Sequence, residues 1–558
     1  MKNYYFDSRR VCISNPYLRA AIVVVLACIY ALMLYAYLYC NPVREASAVT
    51  EKPKNVIMIQ TDHELSYLHG TEDDTYGIFR PNYDAFRAQS VDFVNAKSIN
   101  PLCSPARRTM LTAQYPHQHG IITNSTAIAP NPNVDTIYDV LLENGFGSEN
   151  IYFYGKTHWS GSIANDTPQA AYGVQGWSTA GYGQPYKTQK YKDYLQKNNY
   201  FESDEREPVM TLVAQPLTIN PVLKAGDEFN IANMGIITGN YFGIMKAPKE
   251  FHEAYFLADM VNDQLKELAA SDRDEPFVMS VNMWGPHHPY YPTQEFVDLY
   301  TDENGVIGGN IPEYPSYRDT FENKPKVYAW DNAWANSYPN LPVPNAKSWE
   351  EFRIYMAMAY AQTTLVDAAI GTILDTIDET GLVENTVVIW TNDHGDALGS
   401  HGGHADKECY MTEEILDVNM TVRDPDLAEY AGTVNKAYVN TADVPVTMLD
   451  VVGLVFPEDV AGMSLLDLID GSAEPREYMV CETNGHFSDT RARTIYYDGY
   501  KYTYYYGDID ELYDLDRDKF EMKNLIYEEK MQGRIALMKR MLREWQIEER
   551  DTIPLVNL

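Results

Sequence analysis

The chain is short of basic residues and of cysteine. Lys and Arg number 44 against 79 Asp and Glu, a formal net charge of −35. A surface this acidic repels polyanions at long range, which excludes nonspecific nucleic-acid binding and disfavours adsorption to anionic membrane. Six cysteines in 558 residues, none in a CxxC pair, exclude a disulfide framework and a cysteine-rich zinc module. Cys12, Cys28 and Cys40 lie in or near an N-terminal apolar segment. Cys409 and Cys481 either pair or stay free. There is no internal repeat and no low-complexity tract, which excludes solenoid and fibrous architectures.

What remains is a globular composition, with 45% hydrophobic and 22% charged residues. The length suits one large domain and a smaller one. Tyrosine is abundant, at 44 residues, and its flat face with a polar tip suits sugar rings or aryl groups.

Residues 20–40, AAIVVVLACIYALMLYAYLYC, form an uncharged apolar run of membrane-spanning length. Lys2, Arg9, Arg10 and Arg19 precede it. The positive-inside rule then places residues 1–19 in the cytoplasm and the body outside, as a single-pass signal-anchor protein of the cell membrane. Ala46-Ser47-Ala48 offers the competing reading, a cleaved signal and a secreted or periplasmic product. Residues 41–54 read as a polar linker.

The body opens on a short apolar run, Asn55–Gln60, that stops at Thr61-Asp62-His63. A second run, Thr386–Trp390, stops at Asn392-Asp393-His394-Gly395. Both read as buried strands with polar tips. Helical spacing recurs between them, most clearly over Ile354–Ile377. Strands alternating with helices predict an α/β fold with a large, mostly parallel sheet sandwiched by helices. Ligands collect beyond the carboxyl ends of such strands, where both Asp-His pairs fall. Residues 160–250 and 300–350 are rich in Gly, Pro, Asn and Tyr and read as long irregular insertions on that face. Beyond residue 470 the pattern changes. Arg491–Tyr506 reads as a hairpin around Asp498-Gly499, and Glu528–Ile547 as an amphipathic helix. The chain thus divides into a main domain over residues 55–470 and a smaller α+β subdomain over 471–558.

Four further segments carry chemistry. Cys103-Ser104-Pro105-Ala106-Arg107 places an arginine four residues past a cysteine, where it can lower the thiol pKa. Gly155-Lys156-Thr157-His158 pairs a cation with an imidazole. Trp284-Gly285-Pro286-His287-His288-Pro289 presents two histidines, suited to proton transfer. Lys407 follows the second Asp-His pair.

In this order the segments resemble the type I sulfatases, a branch of the alkaline phosphatase superfamily. Cys103, Pro105, Arg107 and Thr112 match that family's C-x-P-x-R signature and the threonine of its Thr-Gly pair; the glycine is Ala113 here. The resemblance implies an alkaline-phosphatase-like fold with a smaller C-terminal subdomain. It also implies that a maturation enzyme oxidises Cys103 to formylglycine (3-oxoalanine). The hydrated aldehyde would attack sulfur, and a covalent sulfate on residue 103 would be the intermediate. Asp62, His63, Asp393 and His394 would hold a divalent metal. That metal is calcium in most relatives, whose first motif is Asp-Asp. His63 in the second position opens Mn2+, Mg2+ or Zn2+ as alternatives. Lys156 and Lys407 would hold sulfate oxygens, and Arg107 the hydrated aldehyde. His158 would take the proton that releases sulfate, and His287 would protonate the leaving alcohol.

Asp393-His394-Gly395, with Gly399 and His401 nearby, looks more like the choline-sulfatase and phosphonate-monoester-hydrolase subgroup. His117 and His119 match family positions and read as structural. The implied substrate is a sulfated small molecule or glycan, with a carbohydrate sulfate preferred. The alternatives are a formylglycine-dependent phosphonate or phosphate ester hydrolase, or a membrane-anchored glycan-binding protein without activity.

Overall fold

The computed structural model describes residues 54–67, 77–125, 128–159, 167–181, 183–200, 209–212, 226–231, 242–271, 273–329, 348–486 and 488–558. The expected membrane span at residues 20–40 lies outside them. Among the described residues no helix is long and apolar enough to cross a membrane.

Among the described residues, eight strands make the main sheet. In chain order they are Asn55–Asp62 (β1), Val91–Lys97 (β2), Ile151–Lys156 (β3), Gln175–Thr179 (β4), Val278–Pro286 (β5), Thr386–Asn392 (β6), Met420–Arg423 (β7) and Thr433–Asn440 (β8). Across the sheet they lie in the order β8-β2-β7-β6-β1-β5-β3-β4. Neighbours pair in parallel except at β7, which runs antiparallel to both β2 and β6. At four residues β7 is too short to announce itself in the sequence.

The apolar runs are continuous because both faces of the sheet are covered. Successive side chains point to opposite faces. In β1, Ile57 and Ile59 enter one core while Val56 and Met58 enter the other. In β6, Val388 and Trp390 share the first core, and Val387 and Ile389 the second. The first core is closed by helices Glu253–Ala270 and Trp349–Glu379, through residues such as Phe256, Leu257, Ile370 and Ile373. Helix Asp443–Val451 closes the second with Val444, Met448 and Leu449. Each fully buried aliphatic chain contributes roughly 1.5–3 kcal/mol, so the double core fixes the strand ends firmly.

A second, antiparallel sheet contains Met479–Thr483 (β9), Ala492–Tyr497 (β10), Tyr500–Tyr505 (β11) and Glu511–Asp514 (β12), in that order. The turn between β10 and β11 has Asp498 at φ 50° and Gly499 at φ 75°. Two consecutive positive φ values are what a tight two-residue hairpin demands, and Asp-Gly supplies them. Helix Gln532–Glu548 packs Ile535, Met538, Leu542 and Trp545 onto this sheet.

One expectation changes and one open alternative closes. Residues 160–250 are not wholly irregular. Their described parts hold helix Gln189–Lys197 and a three-stranded sheet of Val209–Leu212, Glu228–Asn230 and Gly243–Met245. Tyr191 and Tyr194 bury one face of that helix, and tyrosine is a poor local helix signal whose packing decides the outcome. Of the two alternatives for Cys409 and Cys481, the structure shows no disulfide between them, and Cys409 contacts the Ser488 hydroxyl at 3.1 Å.

Candidate active site

Strand register builds the site. Gln60 of β1 is level with Thr391 of β6 and Asn282 of β5, and Asn282 is level with Gly155 of β3. An irregularity after Gln60 pairs Asp62 with Pro286. Asp62, Asp393, Lys156 and His287 therefore leave four adjacent strands at nearly one height. Gly155 has φ +96°, and a Cβ there would lie 1.9 Å from the Asn282 carbonyl oxygen, so only glycine lets β3 approach β5 before Lys156. His63 and His158, just beyond their strands, adopt the left-handed backbone at φ 63° and 43°, an uncommon conformation for residues with a Cβ.

Cys103 comes from elsewhere. It is the first residue of helix Cys103–Thr112 and is fully buried. A helix N-terminus favours negative charge at this position. Burial raises the thiol pKa, but Lys407, His394 and Lys156 together bring it below its usual value.

Asp62, Cys103, Asp393 and His394 present ligand atoms within 4.8 Å of one another. His394 Nε2 lies 3.0 Å from Cys103 Sγ, and its Nδ1 lies 2.9 Å from the Gly395 carbonyl. Arg107 donates from Nε to Asp393 Oδ2 at 2.8 Å, and its Nη2 stands 3.3 Å from Asp62 Oδ1. Lys156 is in direct ion contact with Asp62. The backbone N–H groups of His63 and His394 both donate to Asp393 Oδ1 at 3.0 Å. Burial works against the charged form of Asp62, yet Lys156 and Arg107 hold its carboxyl well below the usual range. Asp62 Oδ1 is buried and makes no hydrogen bond. Two carboxylates with one imidazole, one carboxylate oxygen making no hydrogen bond, fit a divalent cation.

The remaining predicted residues form a second tier. Lys407 Nζ lies 3.5 Å from His287 Nε2 and donates to Asp406 Oδ1 at 2.9 Å. His287 Nδ1 lies 2.6 Å from the His288 carbonyl oxygen, which fixes the proton on Nδ1. Burial, then His288 and Lys407, hold His287 well below its usual pKa. Burial, then Lys156 and Arg107, do the same to His158. The His63 ring does not join the Asp62 set. It groups with His287 and His288, at centroid distances of 4.7 and 5.5 Å, and stands 5.1 Å from the His394 ring.

Sequence reasoning passed over Asp396 and Asp406. Both face His63 Nε2, at 3.3 and 3.4 Å, and Tyr290 donates to Asp396 at 3.0 Å. Their signals were proximity alone, since Asp396 follows Asp393-His394-Gly395 and Asp406 precedes Lys407. His401 turns away to Asp319 and Glu414. His117 bonds Glu482, and His119 accepts from the Ile121 N–H, both outside the site.

Comparison with known proteins adds to this geometry. A family model described as Sulfatase matches residues 54–454. A second, described as N-sulphoglucosamine sulphohydrolase, C-terminal, matches residues 399–548. The chain is 24% identical over 529 residues to a Delta 4,5-hexuronate-2-O-sulfatase of Bacteroides thetaiotaomicron, covering 91% of each chain. It is 24% identical over 545 residues to an N-acetylglucosamine-6-O-sulfatase of the same organism, covering 92% of this chain and 89% of the relative. A phosphonate monoester hydrolase of Agrobacterium radiobacter has a similar fold, with a TM-score of 0.68 at 18% identity over 89% of this chain and 96% of that one.

Proposed function

The chain belongs to the sulfatase family, and from that premise we propose that it hydrolyses a carbohydrate sulfate ester, using residue 103, matured from cysteine to formylglycine, as nucleophile. The observation that carries this is the position of Cys103, buried at a helix N-terminus beside His394 and the Asp62–Asp393 pair. Cys103 Sγ marks where an oxygen of the hydrated aldehyde would sit. A carbohydrate substrate is supported by the hexuronate and N-acetylglucosamine sulfatases among the relatives.

Asp62, Asp393 and His394 would hold the cation, calcium by family habit. It would supply an acidified hydroxyl at residue 103 and an electrophilic pull on a sulfuryl oxygen. Every other task falls to the chain. His394 holds a proton on Nδ1 against the Gly395 carbonyl, which orients its Nε2 toward residue 103. Arg107 fixes both carboxylates. Lys156 and Lys407 carry the positive charge that stabilises developing negative charge on the sulfuryl oxygens. His287 is neutral in the free protein. A bound sulfate ester adds negative charge beside it, which raises its proton affinity and suits it to protonate the leaving alcohol. His158, also neutral, is suited to accept the proton whose removal releases sulfate. Asp406 holds the Lys407 ammonium and so positions it.

A desulfation screen over sulfated mono- and disaccharides, with matured enzyme, tests this. Release of sulfate from one of them is expected. Matured enzyme that cleaves none would contradict it. The second reading, a phosphonate or phosphate ester hydrolase, is favoured by the imidazole of His394 among the metal donors. Side-by-side turnover of nitrophenyl sulfate and a phenylphosphonate ester separates the two. We propose further that residues 20–40 anchor the protein with residues 55–558 outside the cell. Protease accessibility of the body in intact cells tests that topology.

A further inference from the structure

A second cluster of buried ligand-type side chains shares no residue with the site above. His401, Glu414 and Glu521 present ligand atoms within 4.8 Å of one another. Glu414 is 0% exposed, and neither of its carboxylate oxygens makes a hydrogen bond. The Nδ1 of His401 lies 2.9 Å from Asp319 Oδ2. Its Nε2 makes no hydrogen bond and stands 3.4 Å from Glu414 Oε2. Lys324 Nζ also lies 3.1 Å from that Nδ1, so Asp319 and Lys324 orient the ring by one edge and leave Nε2 facing Glu414, much as outlying hydrogen-bond partners orient metal-bound histidines.

The charges around this cluster do not balance. Lys97 pairs with Glu413 and Asp417, Lys501 with Glu413 and Glu521, and Lys324 with Asp319. Glu414 is a further carboxylate with no lysine on it, faced only by the His401 imidazole at 3.4 Å, and all of these groups are largely buried. A buried carboxylate needs either a proton or a cation.

We propose that His401, Glu414 and Glu521 bind a divalent transition-metal ion of the zinc class, separate from the cation beside residue 103. One imidazole and two carboxylates are a donor set for zinc or manganese rather than for calcium. Glu521 follows β12 of the second sheet, whereas His401 and Glu414 follow β6 of the first. The ion would therefore tie the C-terminal subdomain to the main domain, and its binding free energy would add to folding stability.

The test uses the full chain, stripped with a chelator, equilibrated with zinc alone and desalted. An Asp393→Asn variant removes a ligand of the first site. It should keep a single zinc by elemental analysis and melt at a higher temperature with zinc than without. Adding Glu414→Gln should abolish both effects, and equal zinc content in the two variants would overturn the proposal. Should the double variant fail to fold, anomalous diffraction at the zinc edge on Asp393→Asn crystals decides. A peak between His401 Nε2 and the Glu414 carboxylate supports the site, and an empty position there overturns it.

Discussion

His394 Nε2 stands 3.0 Å from Cys103 Sγ across 291 residues of sequence. One side chain leaves the tip of a central strand and the other opens a helix, so only the complete fold brings them together. Their contact sets the proposed nucleophile beside the carboxylates proposed to hold the metal, and the predictions below follow from it.

His287 is assigned to the leaving group. In His287→Gln, kcat toward a sugar sulfate should fall about 10²–10⁴-fold. The loss should shrink with nitrophenyl sulfate, whose leaving group scarcely needs a proton. Equal losses on both substrates would move His287 away from the leaving oxygen.

Lys407 is assigned to the sulfuryl oxygens. Lys407→Ala should lower kcat by about 10²–10³, because its charge counts most where negative charge develops. A change confined to KM, measured by steady-state kinetics, would make it a ground-state binding residue instead.

Arg107 compensates two buried carboxylates, Asp393 and Asp62. Arg107→Met should destabilise the metal-free protein by about 3–5 kcal/mol. Adding the divalent cation should restore part of the melting temperature in the variant, and more than it adds to wild type. No difference between the two in calorimetry would contradict the role.

Glu482 gives a pH dependence outside the site. Burial opposes its ionisation, but Arg493 and His117 lower its pKa from the ordinary 4.5 to about 2. A carboxyl with a depressed folded pKa stabilises above its unfolded value and loses that contribution as pH falls toward the folded one. Stability on the order of 3 kcal/mol should therefore disappear between about pH 5 and pH 2. Glu482→Gln should flatten denaturation curves over that window.

The strand tips were legible because each apolar run stops at a polar pair. Asp62, Asp393, Lys156 and the Cys103 motif were all read from local sequence, and the fold places them together. His63 was read from the same motif as Asp62, and its ring stands beside His287, His394 and His288. Asp396 and Asp406 were not legible, since acidic residues in Gly-rich loops ordinarily face water. The same holds for Glu414 and Glu521, whose burial depends on the second sheet docking over them. Strand β7 was missed because four residues carry too little periodicity.

The central claim is that residue 103 acts as an aldehyde, and mass spectrometry of the peptide spanning residue 103 tests it most directly. The enzyme would be produced with and without a formylglycine-generating partner and assayed for sulfate release in parallel. Turnover should rise in proportion to the fraction of residue 103 found as formylglycine, with Cys103→Ala inactive. Full turnover from protein whose residue 103 is entirely cysteine, or from Cys103→Ala, would contradict the account.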